Sequence, residues 1–286
     1  MNWMNILYAV LILGLLGVFF GAVLAVASKV FAVEKDERYD EILENLPGAN
    51  CGGCGYSGCS AYAEKLVEGT AKPGACPVGG EQLTAKIAEI LGVKPGKNTR
   101  ITALVRCNGG NHAKKKYEYA GAHDCVSANA LAGSPLSCQY GCLGFGSCVS
   151  ACLFDAIHVE DGVAKVDHEK CTGCLRCLEA CPRNIIISVP YTADVNVLCS
   201  SHERGAELRK ICEIGCIGCK LCEKACQYDA IHVVDNLASI DHDKCTSCGE
   251  CVKKCPRHLI SDADLLNENE DAELLREREQ KKAAQE

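Results

Sequence analysis

Twenty-four of the 286 residues are cysteine, a density far above ordinary usage. No other feature restricts the fold so strongly. Such density belongs either to a secreted domain stapled by disulfides or to a set of metal sites in a reducing compartment, and spacing and topology separate the two. Only 5% of residues are aromatic and the single Trp stands at position 3. Small modules organised round metal therefore fit the composition better than one large aromatic core.

Twelve of the cysteines fall into one spacing. Cys171, Cys174, Cys177 and Cys181 run C-x2-C-x2-C-x3-C and precede Pro182, Cys245, Cys248, Cys251 and Cys255 repeat the run before Pro256, and Cys216, Cys219, Cys222 and Cys226 repeat it without the proline. This is the bacterial ferredoxin run, in which three thiolates bind one [4Fe-4S] cluster and the fourth reaches the neighbouring one. The pattern recurs at a constant offset of 74 residues, which carries Cys152 to Cys226 and Cys171 to Cys245. Two tandem copies of one module are expected. Between the runs, DAIHVEDGVAKVDHEKC and DAIHVVDNLASIDHDKC each predict a short hairpin of alternating residues.

Crossed ligation predicts one cluster on Cys216, Cys219, Cys222 and Cys255, and a second on Cys245, Cys248, Cys251 and Cys226. In the earlier copy Cys171, Cys174, Cys177 and Cys152 form the corresponding set. The other cluster of that copy is irregular, because the offset puts Phe145 where Cys219 stands. Cys142, Cys148 and Cys181 remain, and either a further ligand replaces the lost one or the site holds three irons. Cys138, four residues before Cys142, is the nearest substitute and is taken as the expected ligand.

Cys107, Cys125, Cys199 and Cys212 are then left over. Cys125 and Cys199 obey the 74-residue offset, as do Cys138 and Cys212. Four thiols make a complete ligand set for a sixth cluster, or else they are buried reduced thiols acting as small apolar groups.

A different group precedes the modules. In LPGANCGGCGYSGCSAYAEKLVEGTAKPGACPVGG, Cys51, Cys54, Cys59 and Cys76 are spaced C-x2-C-x4-C-x16-C. Three thiolates on a glycine loop cap one face of a cluster and the fourth returns after a helix over about 61–68, while the glycines let amide N–H groups approach inorganic sulfide. Zinc competes for four cysteines, but the iron-type runs downstream favour a [4Fe-4S] cluster here too. Gly53-x-Gly55-x-x-Gly58 matches a dinucleotide fingerprint only formally, since no strand precedes it.

From Ile6 to Ser28 there is no charged residue, and Lys29, Lys35 and Arg38 follow. About 20 apolar residues suffice to span a bilayer. The first five residues lack the basic start of a signal peptide, so a permanent anchor is expected. The basic flank lies on the C-terminal side, which predicts that everything after about residue 30 is cytoplasmic, with Trp3 at the opposite interface of the cell's inner membrane. Gly17-x3-Gly21 reads either as a helix-packing motif or as ordinary membrane-helix glycine. The net charge of -7 offers no basic footprint for nucleic acid.

The expected architecture is α+β: an anchor at 1–30, an acidic linker at 31–44, a four-cysteine domain at 45–95, a first ferredoxin module with an N-terminal extension at 96–190, a second at 191–262, and a charged tail at 263–286. Five clusters are expected, six if the spare thiols bind one. His158, His168, His232 and His242 recur at the offset but sit at hairpin positions beside well-supplied clusters, so structural roles are expected. Lys114 to Lys116 form a small basic run that reads as a solvated loop or as a seat for an acidic redox partner.

The order of anchor, LPGANCGGCGYSGC domain and ferredoxin modules resembles the B subunit of the Rnf complex over nearly the whole chain up to about residue 260. That family's complex exchanges electrons between reduced ferredoxin and NAD and couples this to Na+ or H+ translocation. The resemblance implies an iron-sulfur arm that meets soluble ferredoxin, with the cluster of Cys51, Cys54, Cys59 and Cys76 nearest the membrane and the other subunits doing the hydride and ion chemistry. Two ferredoxin modules depart from the family's simplest pattern of one. No nucleophile, base or flavin fingerprint is present, so the chain alone is an electron carrier. The competing readings are a redox sensor, which needs only one cluster, and a ferredoxin-like subunit of another oxidoreductase such as a hydrogenase.

Overall fold

The computed structural model describes residues 3–30, 36–96 and 99–262. Helix α1 (Trp3–Val30) contains a stretch, Val10–Ser28, with a mean hydropathy of 2.8 and no part of it buried against the rest of the chain. Its length and composition suit a membrane crossing. Nothing lies within 4 Å of where a Cβ would stand at Gly17 or Gly21.

The four-cysteine domain is built from three helices. Helix α2 (Glu37–Asn45) starts at Asp36, whose carboxylate accepts the Arg38 amide. Helix α3 (Cys59–Val67) begins on a cysteine, and α4 (Gly80–Leu91) stops at Gly92 in the left-handed region, where only glycine avoids a Cβ clash. Ile42, Tyr62, Ala63, Leu66 and Ile87 close the core. Ile42 is fully buried and α2 packs on both α3 and α4. The span expected as an acidic linker of roughly helical period is, from Glu37 on, a helix that packs into this core through Tyr39, Ile42, Leu43 and Leu46. Residues 31–35 of that linker, and the tail from 263, lie outside the described residues.

Two ferredoxin modules follow. In the first, β1 (Ile101–Val105) pairs antiparallel with the later β4 (Ile186–Pro190), from Ile101↔Pro190 to Val105↔Ile186. Between them come α5 (Cys125–Ala130), α6 (Ser147–Ala151), the hairpin β2 (Ile157–Glu160) and β3 (Val163–Val166), and α7 (Arg176–Ala180). The second has β5 (Val195–Val197), α8 (Gly205–Ile211), α9 (Leu221–Ala225), the hairpin β6 (Ile231–Val234) and β7 (Leu237–Ile240), α10 (Glu250–Lys254) and β8 (Ile260–Asp262), with β5 paired to β8. Both hairpins turn through two residues at positive φ, Asp161–Gly162 and Asp235–Asn236, the tight turn that matches strand twist. Each module has its own core, one round Ala156, Ile157 and Ile186, the other round Val195, Ile231 and Ile260.

Candidate iron-sulfur sites

None of the 24 cysteines is in a disulfide. In the first domain the Asn50 side chain accepts the Cys59 amide at 2.8 Å, and the buried Tyr62 hydroxyl donates to the Lys72 and Pro73 carbonyls at 2.7 and 2.8 Å. These bonds tie the glycine loop and the return segment to α3. Burial pushes the Cys76 thiol up, the Gly79 and Val78 amides pull it down, and Cys54 and Cys51 stand close enough to act on it. Three of the four predicted ligands are thus neighbours, and Cys59 packs with Cys54 and Cys76 in the core of this domain.

The regular ferredoxin ligands also converge. One pocket is lined by Cys226, Cys245, Cys248 and Cys251, and another by Cys216, Cys219, Cys222 and Cys255. Cys171 and Cys174 act on the Cys177 thiol, and Cys152 acts on Cys174. The third cysteine of each run sits in a five-residue helix entered through a residue at positive φ: Gly146, Leu175, Lys220 and Gly249. At Leu175 and Lys220 this costs about 1–2 kcal/mol, strain of the kind that gathers at functional sites. Backbone amides point at sulfur, as from Ala156 to Cys152 and from Ala230 to Cys226, both at 3.4 Å. Burial pushes Cys177 up to about 12, and Cys222 and Cys251 up to about 11. Burial of this kind favours the neutral thiol over a bare thiolate, and a ligated metal would hold the thiolate form.

The irregular cysteines sort differently from the expectation. Cys125 lines a pocket with Cys142, Cys148 and Cys181, and its charge acts on both Cys142 and Cys148, whose thiols burial raises to about 11 and about 12. Cys138 instead faces Cys107, Cys199 and Cys212 in a pocket between the two modules, which Cys142 also borders. Cys125 and Cys138 have exchanged the places expected for them. The cause is an insertion. The Cys107 sulfur accepts amides of Gly109 and Cys142, and the Cys199 sulfur accepts those of Ser201 and Cys216. Cys107 and Cys199 are hence structural equivalents, 92 residues apart, so the earlier copy carries 18 extra residues between Cys107 and Cys142 that its partner lacks.

That insertion delivers Cys125 at the start of α5. The Cys125 amide donates to the Ser147 hydroxyl at 2.8 Å, on the helix that carries Cys148. Phe145 packs against Tyr119 and His123 of the insertion, with ring centroids 5.2 and 5.1 Å apart. The phenylalanine that displaced a ligand thus anchors the segment that supplies another. A cysteine missing at its repeat position beside extra residues was the sequence signal for this.

The pocket between the modules has near two-fold character. Arg183 donates to the Cys138 carbonyl at 2.8 Å, and Arg257, its equivalent, donates to the Cys212 carbonyl at 3.1 Å. A bridge between Ala113 and Cys212 joins the copies. At the other end of the first module, a Cβ on Gly53 would lie 3.0 Å from the Cys174 Cα and carbonyl, so the glycine loop of the first domain rests on a ligand of the ferredoxin module. Gly53→Val is expected to separate these two sites while leaving total iron unchanged, read as loss of magnetic coupling between the two reduced clusters by EPR.

Comparison with known proteins agrees with this geometry. Residues 46–78 match the family described as "Putative Fe-S cluster", 164–187 a 4Fe-4S binding domain and 215–259 a 4Fe-4S dicluster domain. The chain is 48% identical to the B subunit of the Na(+)-translocating ferredoxin:NAD(+) oxidoreductase complex of Acetobacterium woodii, over 90% of this chain and 78% of that one. It is 43% identical to the B subunit of the ion-translocating oxidoreductase complex of Methanosarcina acetivorans, over 88% and 96%. It is 39% identical to the proton-translocating counterpart of Clostridium ljungdahlii, over 93% and 96%.

The chain belongs to this family of B subunits. It is an iron-sulfur electron-transfer subunit of an ion-translocating oxidoreductase, as the resemblance read from its motifs implied. The remaining predicted residues fall outside the thiol sites. His168 stacks on Tyr191 at 4.3 Å, and His232 contacts the Asp229 carbonyl at 3.1 Å. Lys114, Lys115 and Lys116 are exposed on the strand-like segment beside the inter-module pocket.

Proposed function

We propose that the chain is a membrane-anchored wire of six [4Fe-4S] clusters that takes electrons from soluble ferredoxin on the cytoplasmic side and passes them to the membrane subunits of a ferredoxin:NAD oxidoreductase. The ligand sets, from the membrane outward, are Cys51, Cys54, Cys59, Cys76; then Cys152, Cys171, Cys174, Cys177; then Cys125, Cys142, Cys148, Cys181; then Cys107, Cys138, Cys199, Cys212; then Cys216, Cys219, Cys222, Cys255; and last Cys226, Cys245, Cys248, Cys251. Bound clusters supply one-electron chemistry at sulfur-ligated iron.

The observation that carries this reading is the unbroken file of thiol sites. Gly53 abuts Cys174, Cys148 acts on Cys177, the Cys142 amide donates to Cys107 at 3.3 Å, and the Cys216 amide donates to Cys199 at 3.4 Å. Helices α9 and α10 pack together and join the last two sites. Cys248, in the most distant site, is exposed, and the exposed Lys253, paired with Glu250, is close enough for the Cys248 charge to act on it. An acidic ferredoxin suits that rim. Eleven of the 24 cysteines are buried, and the amides aimed at sulfur favour negative charge there.

The test is iron and sulfide analysis of the detergent-solubilised full chain with potentiometric EPR. About 24 irons and clusters reducible by ferredoxin are expected. About 20 irons would remove the inter-module cluster, and clusters that ferredoxin cannot reduce would refute the wire.

A further inference from the structure

The two halves of the inter-module pocket differ at several equivalent positions, Gly109 against Ser201 and Tyr140 against Ile214 among them, and beside the pocket one difference changes the charge. Arg106 and Leu198 are equivalents: the Arg106 amide donates to the Ile185 carbonyl and the Leu198 amide to the Leu259 carbonyl, each just before a cysteine of the pocket. The later copy thus carries an apolar side chain where the earlier one carries a cation.

That cation is unusual. Its Nη2 is buried and has no hydrogen-bond partner among the protein atoms. No carboxylate is paired with it among the described ion pairs, all of which involve other residues. The groups whose charge acts on it, against the cost of its burial, are the sulfurs of Cys199 and Cys216. The Arg106 carbonyl accepts the Ser200 hydroxyl at 2.9 Å, which fixes the backbone of one copy against the other. Arg183 and Arg257, by contrast, are hydrogen-bonded, Arg183 to the Asn129 side chain and the Cys138 carbonyl and Arg257 to the Gly215 and Cys212 carbonyls, and they occur in both copies.

An unpaired buried guanidinium cannot shed its proton and is costly unless a negative charge faces it. Two neighbouring thiolate-ligated clusters would supply that charge. We infer that Arg106 is a potential-setting residue at the module junction: it stabilises the added electron on the clusters of Cys107, Cys138, Cys199, Cys212 and of Cys216, Cys219, Cys222, Cys255. This rests on the six-cluster reading above. Adding one electron makes each of these sites one unit more negative, and a fixed positive charge nearby favours that form, so it raises the reduction potential. Because Leu198 provides no such charge on the opposite flank, the rise falls on the ferredoxin-facing side of the junction. The junction clusters are then easier to reduce than they would be without this charge.

The test compares Arg106→Leu, Arg106→Gln and Arg106→Lys in the full chain by potentiometric EPR, with iron content measured on each. Leucine is the residue the later copy accommodates at the same backbone position. Loss of the charge is expected to change the reduced-to-oxidised ratio of the junction clusters at a fixed potential about tenfold toward oxidised, about 59 mV for a one-electron couple. The lysine variant should recover most of it, and the four remaining clusters should stay in place. Unchanged junction potentials at full iron content would overturn the role of Arg106 and leave the wire intact. A wild-type chain with about 20 irons would instead overturn the reading on which it rests. If the neutral variants lose iron, Leu198→Arg at full iron content decides the matter: a second cation at the equivalent backbone position must shift the junction ratio toward reduced, and unchanged potentials would count against the inference.

Discussion

Replacing Cys125 by alanine is expected to strip one ligand from the site of Cys142, Cys148 and Cys181, so that it falls to a three-iron cluster or empties while the five other clusters persist. Iron analysis and the EPR signal of an oxidised three-iron centre read the change. Adding Phe145→Cys to the same chain should restore the four-iron form, because that position carries Cys219 in the later copy and lies beside the same helix start. The rescue has a cost. Phe145 packs on Tyr119 and His123, so the double variant gives up aromatic contacts of about 0.5–1.5 kcal/mol each and should melt lower than the parent. A Cys125→Ala chain with an unaltered irregular site would put Cys138 back as its ligand.

The second large effect falls on the inter-module site. Cys138→Ala or Cys199→Ala is expected to remove about four irons and to sever the file between the modules. Ferredoxin should still reduce the two clusters of the later module. The cluster of Cys51, Cys54, Cys59 and Cys76 should no longer receive those electrons. Stopped-flow reduction followed by freeze-quench EPR separates the two populations. Equal reduction of all remaining clusters would show a route that bypasses the junction.

Much of this was legible in the chain before any folding. Within a ferredoxin run the ligands lie two or three residues apart, and a five-residue helix after a left-handed residue presents them to one centre; spacing alone therefore names three ligands of each regular site. The fourth follows from crossed ligation. The anchor was readable for a similar reason, since 19 residues of mean hydropathy 2.8 need no partner to define their environment. The α2 segment was harder. Its charges read as a linker, and only its packing on α3 and α4 shows that Ile42 belongs to a core.

The assignment of Cys125 and Cys138 was not readable from the repeat offset. A fixed offset of 74 residues pairs Cys125 with Cys199, and an 18-residue insertion makes that pairing coincidental. Amide-to-sulfur bonds identify Cys107 as the true counterpart.

By itself the sequence determined the cluster type, the duplication, the anchor and the family, because each depends on residues close together or on a period that survives mutation. Only the tertiary structure decided which spare thiols share a site. Cys107 and Cys199 meet across 92 residues because β1 pairs with β4, β5 with β8, and Ala113 bridges Cys212. Such contacts between copies depend on three-dimensional closure, which spacing along one chain does not encode.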